Sequence, residues 1–240
     1  IFAPAGIRLI PVVHEQGAGH MADGYSRASG RHGVVIGQNG PGISNCVTAI
    51  AAAYWAHSPV VLITPETGTM GLGLGGFQEA NQLPMFQEFT KYQGHVNNNK
   101  RMAEYTARCF DRAHSELGPT QLNIPRDLFY GEITCEIPKP MRLDRGPGGE
   151  ASLKAAAELI AKAKFPVLIS GGGVVMGEAW DECIALAEQY FSCDSAMARS
   201  TAAELSLLPA TTKCRCSLVK TLGSSVARSA FNSTSQPVMA

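Results

Sequence analysis

The stretch from Pro11 to Asn45, PVVHEQGAGHMADGYSRASGRHGVVIGQNGPGISN, constrains the fold more than any other part of the sequence. Ile10, Val12 and Val13 make an apolar, β-branched run that predicts a strand over residues 7–13, ending at His14-Glu15. Gly17, Ala18 and Gly19 open a helical segment predicted over 16–29 and closed by Gly30. Val34, Val35 and Ile36 fall in a second predicted strand, 33–37, with Gly40-Pro41-Gly42 punctuating its carboxyl end. Ligands of open α/β sheets bind outside the carboxyl ends of the strands. Glu15 and the Gln38-Asn39-Gly40 turn are therefore where a ligand is expected.

The alternation continues along the chain. A helix is predicted over 43–57, with Val47, Ile50, Ala51, Tyr54 and Trp55 on one apolar face. PVVLIT at 59–64 is short and fully apolar, as parallel strands buried on both sides are. A glycine-rich loop, 68–76, leads into Phe77-Gln78-Glu79 and a segment broken by Pro84. A fourth strand is predicted over 92–96 and an amphipathic helix over 100–117, with Met102, Tyr105, Ala107, Cys109 and Ala113 toward the core. A fifth strand, 119–124, ends at Pro125-Arg126-Asp127. Strands alternating with helices predict an α/β fold, a parallel sheet flanked by helices.

Residues 138–149 are rich in Pro, Gly and charge, the composition of a linker, so a first domain is predicted over 1–137. The start of a second α/β domain follows over 150–191: a helix at 150–163, a strand at 165–170, the Gly171-Gly172-Gly173 turn and a further helix. Residues 192–240 are serine-rich, without a strand pattern, and read as an atypical tail, either disordered or frame-shifted. Because the sequence begins with Ile1 directly ahead of a strand, a missing amino-terminal piece is expected.

Composition excludes some partners. Lys+Arg and Asp+Glu both count 20, so no net field draws the chain to nucleic acid or an anionic membrane. No apolar run approaches the roughly 20 residues of a membrane span. The seven cysteines lack ligand spacing, Cys214-Arg-Cys216 being too tight for a zinc knuckle, and reduced thiols in the cytoplasm are expected.

HEQGAGHMADGYSR followed by GQNGPGISN resembles the pyrimidine-binding domain of thiamine-diphosphate (ThDP) enzymes, the superfamily of acetohydroxyacid synthase. Within it, QNGPGISNCVTAIAAAYWAHSPVVLITPE, GGFQEANQLPMFQEFTKYQGHV and GPTQLNIPRD are similar to the sulfoacetaldehyde acetyltransferases. The resemblance runs from the first residue to about residue 190 and implies cleavage of sulfoacetaldehyde with phosphate, giving acetyl phosphate and sulfite. It implies a cytoplasmic enzyme, a homodimer or homotetramer at full length, acting on a small-molecule substrate and phosphate. ThDP would be held partly by Mg2+ in a separate domain signalled by Gly-Asp-Gly, a tripeptide that occurs nowhere in these residues. The chain would then carry half of a site, and alone would neither hold ThDP tightly nor turn over. A ThDP lyase or synthase of the acetohydroxyacid synthase type, or a non-catalytic dimerising module of the same fold, are the alternatives.

The resemblance also assigns roles. Glu15 aligns with the carboxyl group that hydrogen-bonds the cofactor's pyrimidine ring and promotes its imino tautomer. Burial would raise its pKa while the adjacent helix amino-terminus would lower it. Gln38, Asn39, Gly40, Pro41, Gly42 and Asn45 resemble the turn that packs on the pyrimidine. His14, Gln78 and Arg126 are expected near the substrate, Arg126 because a guanidinium suits sulfonate or phosphate, though a salt bridge to Asp127 competes for it. No metal site is expected. His20 lies five residues after Glu15, not three as in a zinc protease, and falls on a different face from His14. Gly71-Leu72-Gly73-Leu74-Gly75-Gly76 satisfies G-x-G-x-x-G but lies too far beyond its strand for a dinucleotide turn, and reads as a mobile loop. Gly171 to Gly173 is similarly weak, and close backbone packing is expected there.

Overall fold

The computed structural model describes residues 4–141, 146, 148–164, 167–191 and 238–239. The chain divides into two units, one formed by Ile1–Leu143 with Thr234–Ala240, the other by Asp144–Ser233.

The first unit is built on β1 (Arg8–Leu9), α1 (Glu15–Ser29), β2 (Gly33–Ile36), α2 (Pro41–Asn45), α3 (Val47–Trp55), β3 (Val60–Glu66), α4 (Gln82–Phe86), β4 (Tyr92–His95), α5 (Met102–Ser115) and β5 (Thr120–Pro125). The second contains α6 (Glu150–Lys162), α7 (Gly172–Met176) and α8 (Trp180–Phe191); β6 (Val238–Met239) returns to the first. All strand pairs are parallel, in the order β1-β6-β2-β3-β5-β4. Alternate strand residues face opposite layers. Val35, Val60 and Leu62 pack with Ala18 and Ala22 of α1, Ile50 and Ala53 of α3 and Phe86 of α4. Val34, Val61, Ile63, Leu122 and Ile124 pack with Cys109 and Ala113 of α5 on the other side. Both faces of β3 are thereby covered, which is why its first four residues, Val60–Ile63, are an unbroken apolar run.

Polar anchors fix the helices on this sheet. Asp23, 4% exposed, accepts from Ser58 Oγ at 2.6 Å and from Arg27 at 3.0 and 2.5 Å, tying α1 to the residue that precedes β3. His32 is partly buried, its Nε2 2.8 Å from the Phe110 carbonyl of α5, and burial holds its pKa below the ordinary value. Its folded form therefore binds protons less readily than its unfolded form. Stability should fall with acid from about pH 6.5 down through the lowered folded value. Denaturant titrations across that window should show the slope in the native chain and not in His32→Gln, which keeps a donor for Phe110.

Four sequence expectations are corrected. The strand predicted over 7–13 is reduced to Arg8–Leu9, because among the described residues its only sheet neighbour is the two-residue β6. Val12 and Val13 have no sheet to lean on and Val13 is fully exposed. The helix predicted over 43–57 breaks at Cys46 into α2 and α3, and its buried face is Cys46, Ala49, Ile50 and Ala53, while Trp55 is 76% exposed. In the strand predicted over 165–170, the described residues 167–170 are irregular and exposed. A β-carbon at Gly171, Gly172 or Gly173 would meet open space, so close backbone packing does not explain these glycines. The tail reading falls outside the described residues except at Val238–Met239, where the structure has a strand that was not expected.

Candidate functional site at the carboxyl ends of the strands

Parallel registry brings the carboxyl ends of β2, β3, β5 and β4 to one edge. Ile36 pairs with Ile63, Glu66 with Pro125 and His95 with Asn123. The turns leaving these ends carry the residues in question.

Glu15 is the first residue of α1 and not the last of a strand, as His14 is in extended conformation and caps the helix with Nδ1 3.2 Å from the Gln16 amide. That nitrogen accepts, so it carries no proton in the cap. The capped amino-terminus and the Gly40-Pro41-Gly42 turn converge on the partly buried Glu15. Asn45 Nδ2 donates to Glu15 Oε2 at 3.1 Å. A β-carbon on Gly42 would lie 2.9 Å from Glu15 Oε1 and 2.8 Å from the Gln38 β-carbon, so only glycine lets the turn close over the carboxylate. The Glu15 pKa lies below the carboxylate norm, first through an influence not expected from sequence, the Asn45 hydrogen bond, which with the hydrogen bond of Glu15's own backbone amide outweighs desolvation. Glu15 is ionised at neutral pH and acts as an acceptor. Beneath it, burial and the nearby Glu15 charge push the Cys46 thiol up to about 12, so Cys46 is an inert core residue.

Gly40 joins this turn to the Gln78 loop. It has φ 71° and ψ −108°, a region closed to side-chain-bearing residues, and a β-carbon there would sit 2.3 Å from the Gln78 carbonyl oxygen. Gln78 itself has φ 55°. Its strained backbone is held by Asn39 Nδ2, which donates to the carbonyls of Phe77 and Gln78 at 3.1 and 3.3 Å, and by Gln38 Nε2, which donates to Gln78 Oε1 at 2.9 Å. The loop expected to be mobile is further tied by Glu79, whose carboxylate accepts from the amides of Gly73 and Gly76 at 2.5 and 2.9 Å. These two amides are satisfied internally, which argues against a phosphate cradle in the G-x-G-x-x-G stretch.

Arg126 follows β5 and lines a cleft of 340 Å³ with Asn39, Glu66, Thr67, Phe77 and Tyr130. Asp127, the neighbour expected to compete for it, accepts instead from Thr69 N and Oγ1 at 2.8 and 2.5 Å, and Thr69 is the main cause of its lowered pKa. Glu66 in the same cleft is bonded to His95, Nε2 to Oε2 at 2.8 Å. Glu15, Gln38, Gly42 and Asn45 thus meet directly, and Asn39, Gly40 and Gln78 meet beside them. Arg126 shares its cleft with Asn39. His14 stands apart as a helix cap, and no hydrogen bond among the described residues links it to Gln78 or Arg126.

Three residues at this edge had no sequence signal: Glu66, His95 and Gln82. Glu66 and His95 lie 29 positions apart and pair only through strand order. Gln82 sits in the segment broken by Pro84, yet is 1% exposed and accepts from the Gly40 amide at 3.1 Å. Among the described residues, no cluster of three His, Cys, Asp or Glu is placed to hold a metal, and no helix is long and apolar enough to cross a membrane.

Residues 1–85 match the family model described as thiamine pyrophosphate enzyme, N-terminal TPP binding domain. The chain is 82% identical over 189 residues to a sulfoacetaldehyde acetyltransferase of Alcaligenes xylosoxydans xylosoxydans, covering 79% of this chain and 31% of that protein. It is 79% identical over 189 residues to a sulfoacetaldehyde acetyltransferase of Castellaniella defragrans, covering 79% and 32%. An acetolactate synthase of Mycobacterium bovis is 38% identical over 196 residues, covering 78% and 31%. The chain spans about a third of the length of these curated relatives.

Proposed function

We propose, on the premise that residues 1–85 belong to the thiamine pyrophosphate enzyme family as its N-terminal TPP-binding domain, that this chain is the pyrimidine-facing part of a sulfoacetaldehyde acetyltransferase. The observation that carries this is the Glu15 carboxylate, held by Asn45 and roofed by Gly42 at the sheet's ligand-binding edge. The donor set fits an aminopyrimidine edge. Glu15 Oε2 accepts from Asn45, and a carboxylate has lone pairs left on both oxygens to accept a ring N–H. ThDP, when bound, supplies a nucleophilic carbon centre that protein side chains lack.

The remaining roles belong to this chain's residues. Glu15, ionised, keeps a proton on the ring nitrogen. Asn45 holds the carboxylate in register, and Gln38 and Gln78 present carboxamides beside it. Arg126 offers its guanidinium to the sulfonate of the aldehyde or to phosphate within the 340 Å³ cleft. His14 orders the first turn of α1, on which Glu15 sits. Magnesium, a homodimeric or homotetrameric assembly and a cytoplasmic setting belong to the same proposal.

The longer protein containing this sequence should release sulfite from sulfoacetaldehyde only when phosphate is present, with one acetyl phosphate formed per sulfite. The reading fails if pyruvate is condensed instead, as an acetolactate synthase would do. The chain alone holds only one wall of the site, so calorimetry should detect no micromolar ThDP binding to it. Micromolar affinity would contradict the division of the site.

A further inference from the structure

Gln82, the first residue of α4, is 1% exposed and has both ends of its carboxamide bonded. Its Oε1 accepts from the Gly40 amide at 3.1 Å, while Nε2 donates to the Pro65 carbonyl at 2.8 Å and to Asn123 Oδ1 at 3.2 Å. A backbone N–H only donates and a backbone carbonyl only accepts, so Gly40 and Pro65 fix which way the carboxamide points. The same logic propagates inward. Asn123 Oδ1 also accepts from Thr64 Oγ1 at 2.8 Å. Gln121 Nε2 donates to Thr64 Oγ1 and to the Gln82 carbonyl at 3.2 and 3.4 Å, and its Oε1 accepts from Gln93 Nε2 at 2.6 Å. Gln93 Nε2 in turn reaches the Leu83 carbonyl at 2.6 Å.

The network joins β3, β4, β5 and α4, and its hydrogen bond to the Gly40 amide carries it to the turn before α2. Gly40 is therefore held on two sides, by Gln82 at its N–H and by the Gln78 carbonyl against its α-carbon. An apolar residue would fill the Gln82 site without the desolvation cost of a carboxamide, so packing alone does not account for it.

We infer that Gln82 is a positioning residue, locking the Gly40 amide and through it the turn that seats Glu15, Gln38 and Asn45. Calling that turn a cofactor seat rests on the proposed function; the mechanical coupling does not.

Amide hydrogen exchange on the isotope-labelled chain tests it, with the amides of β3 as internal reference. Gln82→Met keeps length and removes every hydrogen bond of the carboxamide. Gln82→Glu, which burial keeps as the neutral acid, retains a carbonyl acceptor for Gly40 and one O–H donor in place of the amide's two. The Gly40 amide should exchange about 10-fold faster in Gln82→Met relative to β3 and change less than about 3-fold in Gln82→Glu. In Gln82→Met the Glu15 carboxyl should also titrate closer to its ordinary value as the Asn45 contact loosens. Should Gln82→Met not fold, Gln82→Asn, one methylene short of Gly40, reports the same loss. Unchanged Gly40 exchange in the apolar or shortened variant, or acceleration shared equally with β3, would overturn the inference. An active Glu15→Gln enzyme would remove the cofactor reading and leave these exchange rates as expected.

Discussion

On the proposed function, Glu15→Gln in the longer protein should lower sulfite release by about 100-fold or more, the range removed with a positioned acid-base group. The fold should survive, because Gln retains a carbonyl oxygen for Asn45 and nearly the same volume beneath Gly42. What is lost is the charge. The Asn45 hydrogen bond holds the Glu15 pKa below the carboxylate norm, so the native residue is an acceptor throughout the neutral range. A neutral carboxamide cannot stabilise a proton on a ring nitrogen in the same way. The measurement is kcat at saturating substrate for variant and native enzyme, with the thermal midpoint as a folding control. A variant within about 3-fold of native activity would remove Glu15 from the proposed cofactor-activating role, and absence of sulfite release from the native protein itself would favour the non-catalytic module of the same fold.

Gly40→Ala should be the most destabilising single-methyl change in the site. Two penalties add: a backbone conformation at φ 71°, ψ −108° that alanine does not adopt, and a contact of 2.3 Å between its β-carbon and the Gln78 carbonyl oxygen. Strain and overpacking of this kind together cost about 2–4 kcal/mol, a fall in Tm of roughly 5–15 °C for a domain of this size. The carbonyl is backbone, and Asn39 holds it in place, so it cannot swing away as a flexible side chain would. Gly24→Ala is the matched control. Gly24 is exposed within α1 and a β-carbon there meets nothing within 4 Å, so that change should be neutral or stabilise by up to about 1 kcal/mol. Equal effects of the two substitutions in calorimetry would refute the steric account.

The layered sheet was legible because burial writes itself into periodicity. The apolar runs Val34–Ile36 of β2 and Val60–Ile63 of β3 both follow from helices covering each face. Glu15 could be singled out only through the resemblance of the motif around it, because an acid in the first turn of a helix has an ordinary electrostatic explanation, whereas the Gly40-Pro41-Gly42 turn follows the carboxyl end of β2. The apolar run Ile10 to Val13 misled because strand propensity counts only when a neighbouring strand accepts the backbone, and β1 meets just two residues of β6. The break at Cys46 left no mark, since a residue with φ −79° and ψ −14° can close one helix and open the next without a proline or glycine. Gln82 was missed for a different reason. A lone carboxamide beside Pro84 reads as loop, and only the folded chain brings Gly40, Pro65 and Asn123 around it. The direction of the Glu15 pKa shift was equally out of reach, because it depends on Asn45, 30 residues away, turning its amide toward the carboxylate.

The proposed chemistry turns on a single contact, between Glu15 and the pyrimidine, which a structure of the longer protein with ThDP bound measures directly. A Glu15 carboxylate oxygen should lie about 2.6–3.2 Å from a pyrimidine ring nitrogen, with the ring over the Gly40-Pro41-Gly42 turn. A pyrimidine ring seated away from Glu15, or facing it only through solvent, would contradict the account.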